Sequence, residues 1–325
     1  MERRNLGGLA CSAIGFGCMG LSQAYGPADD DASVAAIRAA IDAGVTLLDT
    51  AMSYGGGHNE RLVGRAIEGR RDEVTLATKF GIVRGDEGVR LDAHPDRVAG
   101  YCDASLKRLG VDVIDLYYLH RVDPSVPLAD TIGAMALLVD SGKVRFIGLS
   151  EVSPEQIAEA AAVHPIAAVE FEWSLSWREP EDDVVPAART AGAGLVPYSP
   201  LGRGLLTGKL PAGPFEAGDF RAADGRFAGE ALDRNLTLVA ELTRIARRLG
   251  VTTGQLALAW LLAQGPEVVP IPGTRNSARV TENAAAADIV LSPADLAALE
   301  AAAPREAWTG DRRSFAAHGT ARTAT

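Results

Sequence analysis

Apolar runs of strand length recur along this chain, separated by stretches with helical spacing. The runs are 12–18 (SAIGFGC), 45–49 (VTLLD), 74–78 (VTLAT), 113–119 (VIDLYYL), 144–149 (VRFIGL), 167–173 (AAVEFEW), 194–199 (GLVPYS) and 268–271 (VVPI). Near-continuous hydrophobicity with many β-branched residues suits strands buried on both faces, as in a parallel sheet. Between the first two runs, 30–44 (DDASVAAIRAAIDAG) opens on capping aspartates and ends at glycine, which is helix grammar. Residues 94–110, 153–164 and 181–192 follow the same grammar, with Pro186 predicting a late start for the last. Eight strands alternating with helices predict an α/β fold, a single (β/α)8 TIM barrel over 1–325, rather than an open doubly wound sheet. Residues 292–303 (SPADLAALEAAA) predict an extra C-terminal helix, and 304–325 a tail disordered beyond about Ser314. The rhythm breaks between Pro200 and Asn235, a connection rich in Gly, Pro, Phe and charge, and loops of that length carry function or move.

Composition narrows the function classes. The 325 residues are 47% apolar and 23% charged, the balance of a soluble globular protein with a sizeable core. A net charge of −10 argues against a sequence-independent nucleic-acid surface. No run approaches the roughly 20 apolar residues of a membrane span. The N-terminal stretch MERRNLGGLACSAIGFG lacks a clear signal-cleavage site. Cys11, Cys18 and Cys102 form no CxxC and are odd in number, so no disulfide framework is expected. A reducing, cytoplasmic setting is the expectation.

One glycine motif misleads. Gly15, Gly17 and Gly20 match G-x-G-x-x-G after a possible strand. A dinucleotide fold needs a helix to begin there, and the chain continues LSQAYGPADDD, without helical periodicity before Asp31. No Y-x-x-x-K spacing occurs either.

A barrel places its active site at the C-terminal ends of its strands. Those ends carry Asp49, Thr78 and Lys79, His120, Ser150 and Glu151, with Glu170 and Glu172 on the sixth run. Singly, each has an ordinary explanation. Asp49 caps a helix, Lys79 snorkels into water, His120 is a satisfied half-buried histidine and Tyr54 is a rim aromatic. Together they surround one mouth. A phenol with an ordinary pKa of about 10 is a poor donor at neutral pH. A nearby ammonium favours the phenolate, Asp49 can hold that Lys79, and His120 can orient a carbonyl oxygen. Such a set protonates an oxygen as negative charge develops on it, as hydride delivery to a carbonyl carbon requires. No HxH, HExxH or G-x-S-x-G pattern supports a metal site or a serine nucleophile.

The motifs DTAMSYGGGHNE, ATKFG, LYYLHRVD, GLSEV, YSPLGRGLLTGK and IPGTRNSARVTEN resemble the aldo-keto reductase family, in its order and nearly to residue 300. The resemblance is to the longer-loop bacterial and plant-type members. It implies reduction of aldehydes or ketones with NADPH bound across the barrel mouth. Tyr54 would be the general acid, Lys79 and Asp49 its tuning pair, and His120 the group orienting the carbonyl. Gly17, Cys18 and Met19 would lie beside the cofactor. Ser150, Glu151 and Glu170 would meet the carboxamide, and Trp173 would stack on the nicotinamide. Tyr198, Ser199, Pro200, Leu201, Gly202, Gly204 and Lys209 would wrap the pyrophosphate. Gly273 and Thr274 would continue to the adenosine, Arg275 and Arg279 would suit a 2′-phosphate, and Glu282 and Asn283 would contact adenine. Glu170 stands where the family more often has Gln, Glu151 where Asn is frequent and Trp173 where Tyr is usual. The partner implied is a small carbonyl compound, with no metal, nucleic acid or membrane. The pocket walls would be the Gly20–Pro27 loop with Tyr25, the rim after the fourth strand and the tail near Trp308. The same residues are compatible with an NADP(H)-binding sensor or regulatory subunit, or with an alcohol or sugar dehydrogenase running in reverse.

Overall fold

The structure, a computed structural model, describes residues 1–85, 88–210, 215–216 and 218–312. An antiparallel hairpin, β1 (Arg3–Leu6) and β2 (Leu9–Ser12), comes first. The barrel begins with β3 (Phe16–Gly17), β4 (Leu47–Asp49) and β5 (Thr75–Phe80). A second hairpin, β6 (Ile82–Gly85) with β7 (Gly88–Leu91), follows β5. The barrel then continues with β8 (Ile114–Leu119), β9 (Val144–Ser150), β10 (Ala168–Glu172) and β11 (Gly194–Tyr198). The seven barrel strands are parallel neighbours in the order β11-β10-β9-β8-β5-β4-β3.

The eighth position is filled by the run VVPI and its flanks. On one side Leu195 N donates to Glu267 O, and Val269 N and Ile271 N donate to Leu195 O and Pro197 O, at 2.8–3.1 Å. On the other, Gly15 N donates to Pro270 O at 2.9 Å and Gly17 N to Pro272 O at 3.4 Å. Prolines 270 and 272 have no N–H to give, so this segment joins mainly through carbonyls, with a single strand-type bridge at Leu195–Val268. Closure also needs small residues, since a Cβ on Gly17 would lie 2.7 Å from Ile271 O. The circle is complete.

Around it lie α1 (Asp30–Asp42), α2 (His58–Ile67), α3 (Pro95–Leu109), α4 (Leu128–Asp140) and α5 (Pro154–Val163). The remainder are α6 (Val184–Thr190), α7 (Gly229–Arg248), α8 (Thr253–Leu262), α9 (Ser277–Ala284) and α10 (Pro293–Ala302). In α1, Asp29 accepts from Ala32 N, and Val34, Ile37, Ala40 and Ile41 form the buried stripe expected of period 3.6. The late start of the sixth helix is real. Pro186 occupies its third residue, where the missing N–H has no intrahelical partner to lose.

Two expectations change. The run 12–18 is divided, its first residue ending the β2 hairpin strand and only 16–17 entering the barrel. That hairpin places Leu6, Leu9 and Cys11 in the barrel-interior cluster with Leu47, Ala77, Leu116, Ala168 and Val196, so it plugs the floor. The loop expected over 200–235 is shorter, because α7 begins at Gly229 and three 3₁₀ turns fold the part before it. The expected disorder beyond Ser314 lies outside the described residues. Among the described residues no helix is long and apolar enough to cross a membrane, and the three cysteines are free and buried.

Candidate active site

Strand alternation builds the site. Two residues beyond Leu47, Ala77, Leu116, Ala168 and Val196, the same inward faces carry Asp49, Lys79, Tyr118, Glu170 and Tyr198. An apolar interior thus ends in a polar layer at the C-terminal mouth, as in barrels generally. Above it opens a cavity of about 440 Å³.

Tyr54 reaches this mouth through the loop after β4. Gly55, Gly56 and Gly57 all have positive φ (57°, 60° and 86°), which lets the chain reverse sharply before α2. The loop is pinned from both ends, Thr50 Oγ1 donating to Asn59 Oδ1 at 2.6 Å and Asn59 Nδ2 to Cys18 O at 2.8 Å. Tyr54 is therefore a fixed group.

Lys79 lies beneath, fully buried, with its ammonium on Asp49 Oδ1, 3.0 Å from Thr50 O and 3.2 Å from Glu170 Oε2. It sits 5.6 Å from the Tyr54 ring centre and 5.4 Å from that of Tyr118. Burial alone would strip its proton, but Asp49 first, and Glu170 when ionised, outweigh it and hold the pKa above the ordinary lysine range. The ammonium stays charged.

For Tyr54 the balance runs the other way. Burial raises the phenol pKa, Lys79 opposes it, and Asp49 and Glu170 push it up again, so the net direction is upward. The sequence anticipated the Lys79 contribution but not the burial and second carboxylate that exceed it. His120 meets the Tyr54 ring edge-on at 5.8 Å, with Ser53 Oγ 3.5 Å from its Nδ1. Burial, then Arg121, Lys79 and Arg84, lower its pKa well below the ordinary value, so the imidazole is neutral.

Of the other anticipated residues, Gly17, Met19, Ser150, Glu170, Tyr198, Ser199, Pro200, Leu201 and Gly204 line the cavity. Gly273, Thr274, Arg275, Arg279, Glu282 and Asn283 line it too. Cys18, Glu151, Trp173, Gly202 and Lys209 do not. Trp173 is turned away, its ring against Phe171 and Trp260 and its Nε1 donating to Glu181 at 2.9 Å. The aromatic residue of this region that does face the cavity is Tyr198. Glu151 works behind it, accepting from the Tyr198 hydroxyl at 2.8 Å and pairing with Arg312 at 3.0 Å.

Arg275 is engaged differently from the sequence reading. Its guanidinium donates to Gly20 O, Tyr25 O, Gly26 O and Pro27 O at 2.7–3.1 Å. Four donations to one loop make it a clasp for that wall, and leave Arg279 as the better-placed cation for a phosphate.

Sequence reasoning missed Ser53, Ile82, Arg84, Arg203 and Arg221, all of which line the cavity. The β6–β7 hairpin that supplies Ile82 and Arg84 has weak alternation, and Arg203 was hidden between glycines. The flanking Gly202 and Gly204 were the one sequence signal of the tight turn there, in which Arg203 itself takes a φ of 58°. Trp308 packs against the core rather than the cavity. Among the described residues no group of three or more His, Cys, Asp or Glu is placed to hold a metal ion.

Comparison with known proteins agrees over nearly the whole length. The sequence profile of the Aldo/keto reductase family matches residues 13–304. "Probable aldo-keto reductase 1" of Glycine max is 44% identical over 300 residues, covering 91% of this chain and 87% of that protein. A glycerol dehydrogenase of Gluconobacter oxydans superposes with a TM-score of 0.86 at 30% identity, over 99% of this chain and 98% of the other. An aldo/keto reductase of Klebsiella pneumoniae, in complex with NADP and acetate, gives 0.73 at 31% identity over 93% and 96%. The chain belongs to the aldo/keto reductase family of oxidoreductases.

Proposed function

We propose that this protein reduces aldehydes or ketones to alcohols with NADPH, Tyr54 acting as the general acid. The observation that carries the reading is the meeting of Tyr54, His120 and the buried Lys79–Asp49 pair at one cavity that runs on to Arg279 and Asn283. The residues present fit the cofactor. Positive-φ turns at Ser199, Gly202 and Gly204 bring backbone close to the cavity beside Pro200 and Leu201, and Arg279 faces it with no ion-pair partner among the described residues. NADPH would supply the hydride that reaches the carbonyl carbon.

The chain's own groups do the rest. If Nδ1 of His120 accepts from Ser53, Nε2–H is free to donate to the carbonyl oxygen and orient it. Tyr54 keeps its proton at neutral pH because its pKa is raised, and an alkoxide is basic enough to take it all the same. Lys79 then stabilises the phenolate that remains. Tyr198 forms one wall and Glu151 fixes its hydroxyl.

The test is carbonyl-dependent loss of NADPH absorbance over a broad panel of aldehydes and ketones. Tight NADPH binding with no turnover on any of them would overturn the reading in favour of a sensor. For the cofactor, Arg279→Ala is expected to raise the NADPH KM about ten- to a hundredfold, the worth of one charge-assisted contact, and leave the NADH KM unchanged. An equal loss with both cofactors would mean that Arg279 does not meet the 2′-phosphate.

A further inference from the structure

Two buried carboxylates share one cation at the floor of the site. Asp49 and Glu170 both reach Lys79 Nζ, Glu170 through Oε2 at 3.2 Å, and Asp49 Oδ2 is buried without a hydrogen-bond partner. Orphaned buried carboxylate oxygens are costly, and two ionised carboxylates on one ammonium leave a net negative charge below the phenol. That charge would oppose the phenolate Tyr54 must become. A single proton on this pair removes both problems. It neutralises one carboxylate and supplies the donor that Asp49 Oδ2 lacks.

We infer that Glu170 carries this proton and is the store from which the Tyr54–Lys79 pair is recharged after each reduction, a role that rests on the proposed function above. Both carboxylates line the cavity, and Glu170 is the one suited to it because Asp49 holds the Lys79 ammonium more closely and so keeps its charge, while Glu170 stands off at 3.2 Å. The steps balance. The Tyr54 O–H bond breaks as the product O–H forms, and the phenolate takes a proton from the Lys79 ammonium. The Glu170 carboxyl returns one to the amine, and water in the cavity returns one to Glu170. One solvent proton is consumed per carbonyl reduced, with the two electrons carried by the hydride of the nicotinamide. In the oxidative direction each transfer reverses, and Glu170 must start ionised.

The groups facing Glu170 are consistent with this. Asp49 comes from β4, Tyr54 from the following loop, Lys79 from β5 and Tyr118 from β8. Its neighbours in the sheet, Ser150 on β9 and Val196 on β11, add no charge. Burial, then Asp49, raise its pKa to about 8, against the pull of Lys79.

The experiment compares the wild type with Glu170→Gln, which keeps the shape and removes the titrating proton. In the ligand-free wild type, infrared difference spectra should show a buried carboxylic-acid C=O band at neutral pH that bleaches as the pH passes about 8 and is absent in the variant. In steady state, wild-type reduction should fall about tenfold per pH unit above that point and oxidation should rise towards it. The variant should lose both breaks while still turning over. A band unchanged by the substitution, or a variant that keeps the wild-type breaks, overturns the inference. The band is read without cofactor, so failure of the carbonyl-reductase reading and failure of the proton store are separable.

Discussion

Tyr54→Phe is expected to lower carbonyl-dependent kcat by about a hundredfold to ten-thousandfold and to leave NADPH affinity within a few-fold. The magnitude is the usual contribution of a positioned general acid. The substitution is clean because everything but the hydroxyl is retained. The ring still meets His120 edge-on at 5.8 Å and lies 5.6 Å from Lys79 Nζ. The glycine turn that presents it is untouched. Removing Lys79 instead would strand the buried Asp49 carboxylate beside Glu170 and confuse catalysis with folding. The measurement pairs steady-state kcat with a Kd from NADPH fluorescence. A variant with turnover within about threefold of wild type would remove Tyr54 from the acid role, whatever the cofactor affinity.

The barrel was legible because buried parallel strands write themselves as apolar runs, and the eight runs lie where the barrel has its seven strands and closing segment. Asp49, Lys79 and His120 were legible for a related reason. A charged residue that ends an apolar run has little else to do than sit at a strand tip. What sequence could not give was the sum of opposed contributions. The pull of Lys79 on Tyr54 follows from charge sign alone, but the larger push of burial depends on how deeply the phenol sits, which only packing decides. Trp173 and Tyr198 make the same point. They occupy ends of adjacent strands, and a one-residue difference in register sends one ring outward against Trp260 and the other into the cavity. Arg275 was read as a 2′-phosphate ligand from the family resemblance of the 271–283 segment. Its partners are backbone carbonyls of a loop some 250 residues earlier, and backbone carbonyls leave no trace in side-chain pattern.

The second large effect concerns the fold around the site. Glu172→Gln is expected to destabilise the protein by about 3–5 kcal/mol at neutral pH, the usual consequence of breaking one side of a buried ion cluster. Glu172 is fully buried and accepts from Arg226 at 2.6 Å and Arg203 at 3.1 Å, with Arg312 Nε 3.3 Å away. These three arginines come from the connection after β11, the turn before α7 and the segment beyond α10. Glu172 therefore ties both late segments to the barrel wall. Without its charge, the three guanidiniums lose the carboxylate they share, with Asp224 and Glu151 among their remaining partners. Against burial, which alone would raise it, Arg226, Arg203 and Arg312 hold the Glu172 carboxyl well below its ordinary range. A depressed folded pKa gives stability that is present above the unfolded value of 4.5 and is lost as the pH falls below it. Urea midpoints across the acid range should therefore fall more steeply for the wild type than for the glutamine variant, with the two curves converging at low pH. Equal midpoints at neutral pH would show that the arginines find other partners and that Glu172 is not the hub.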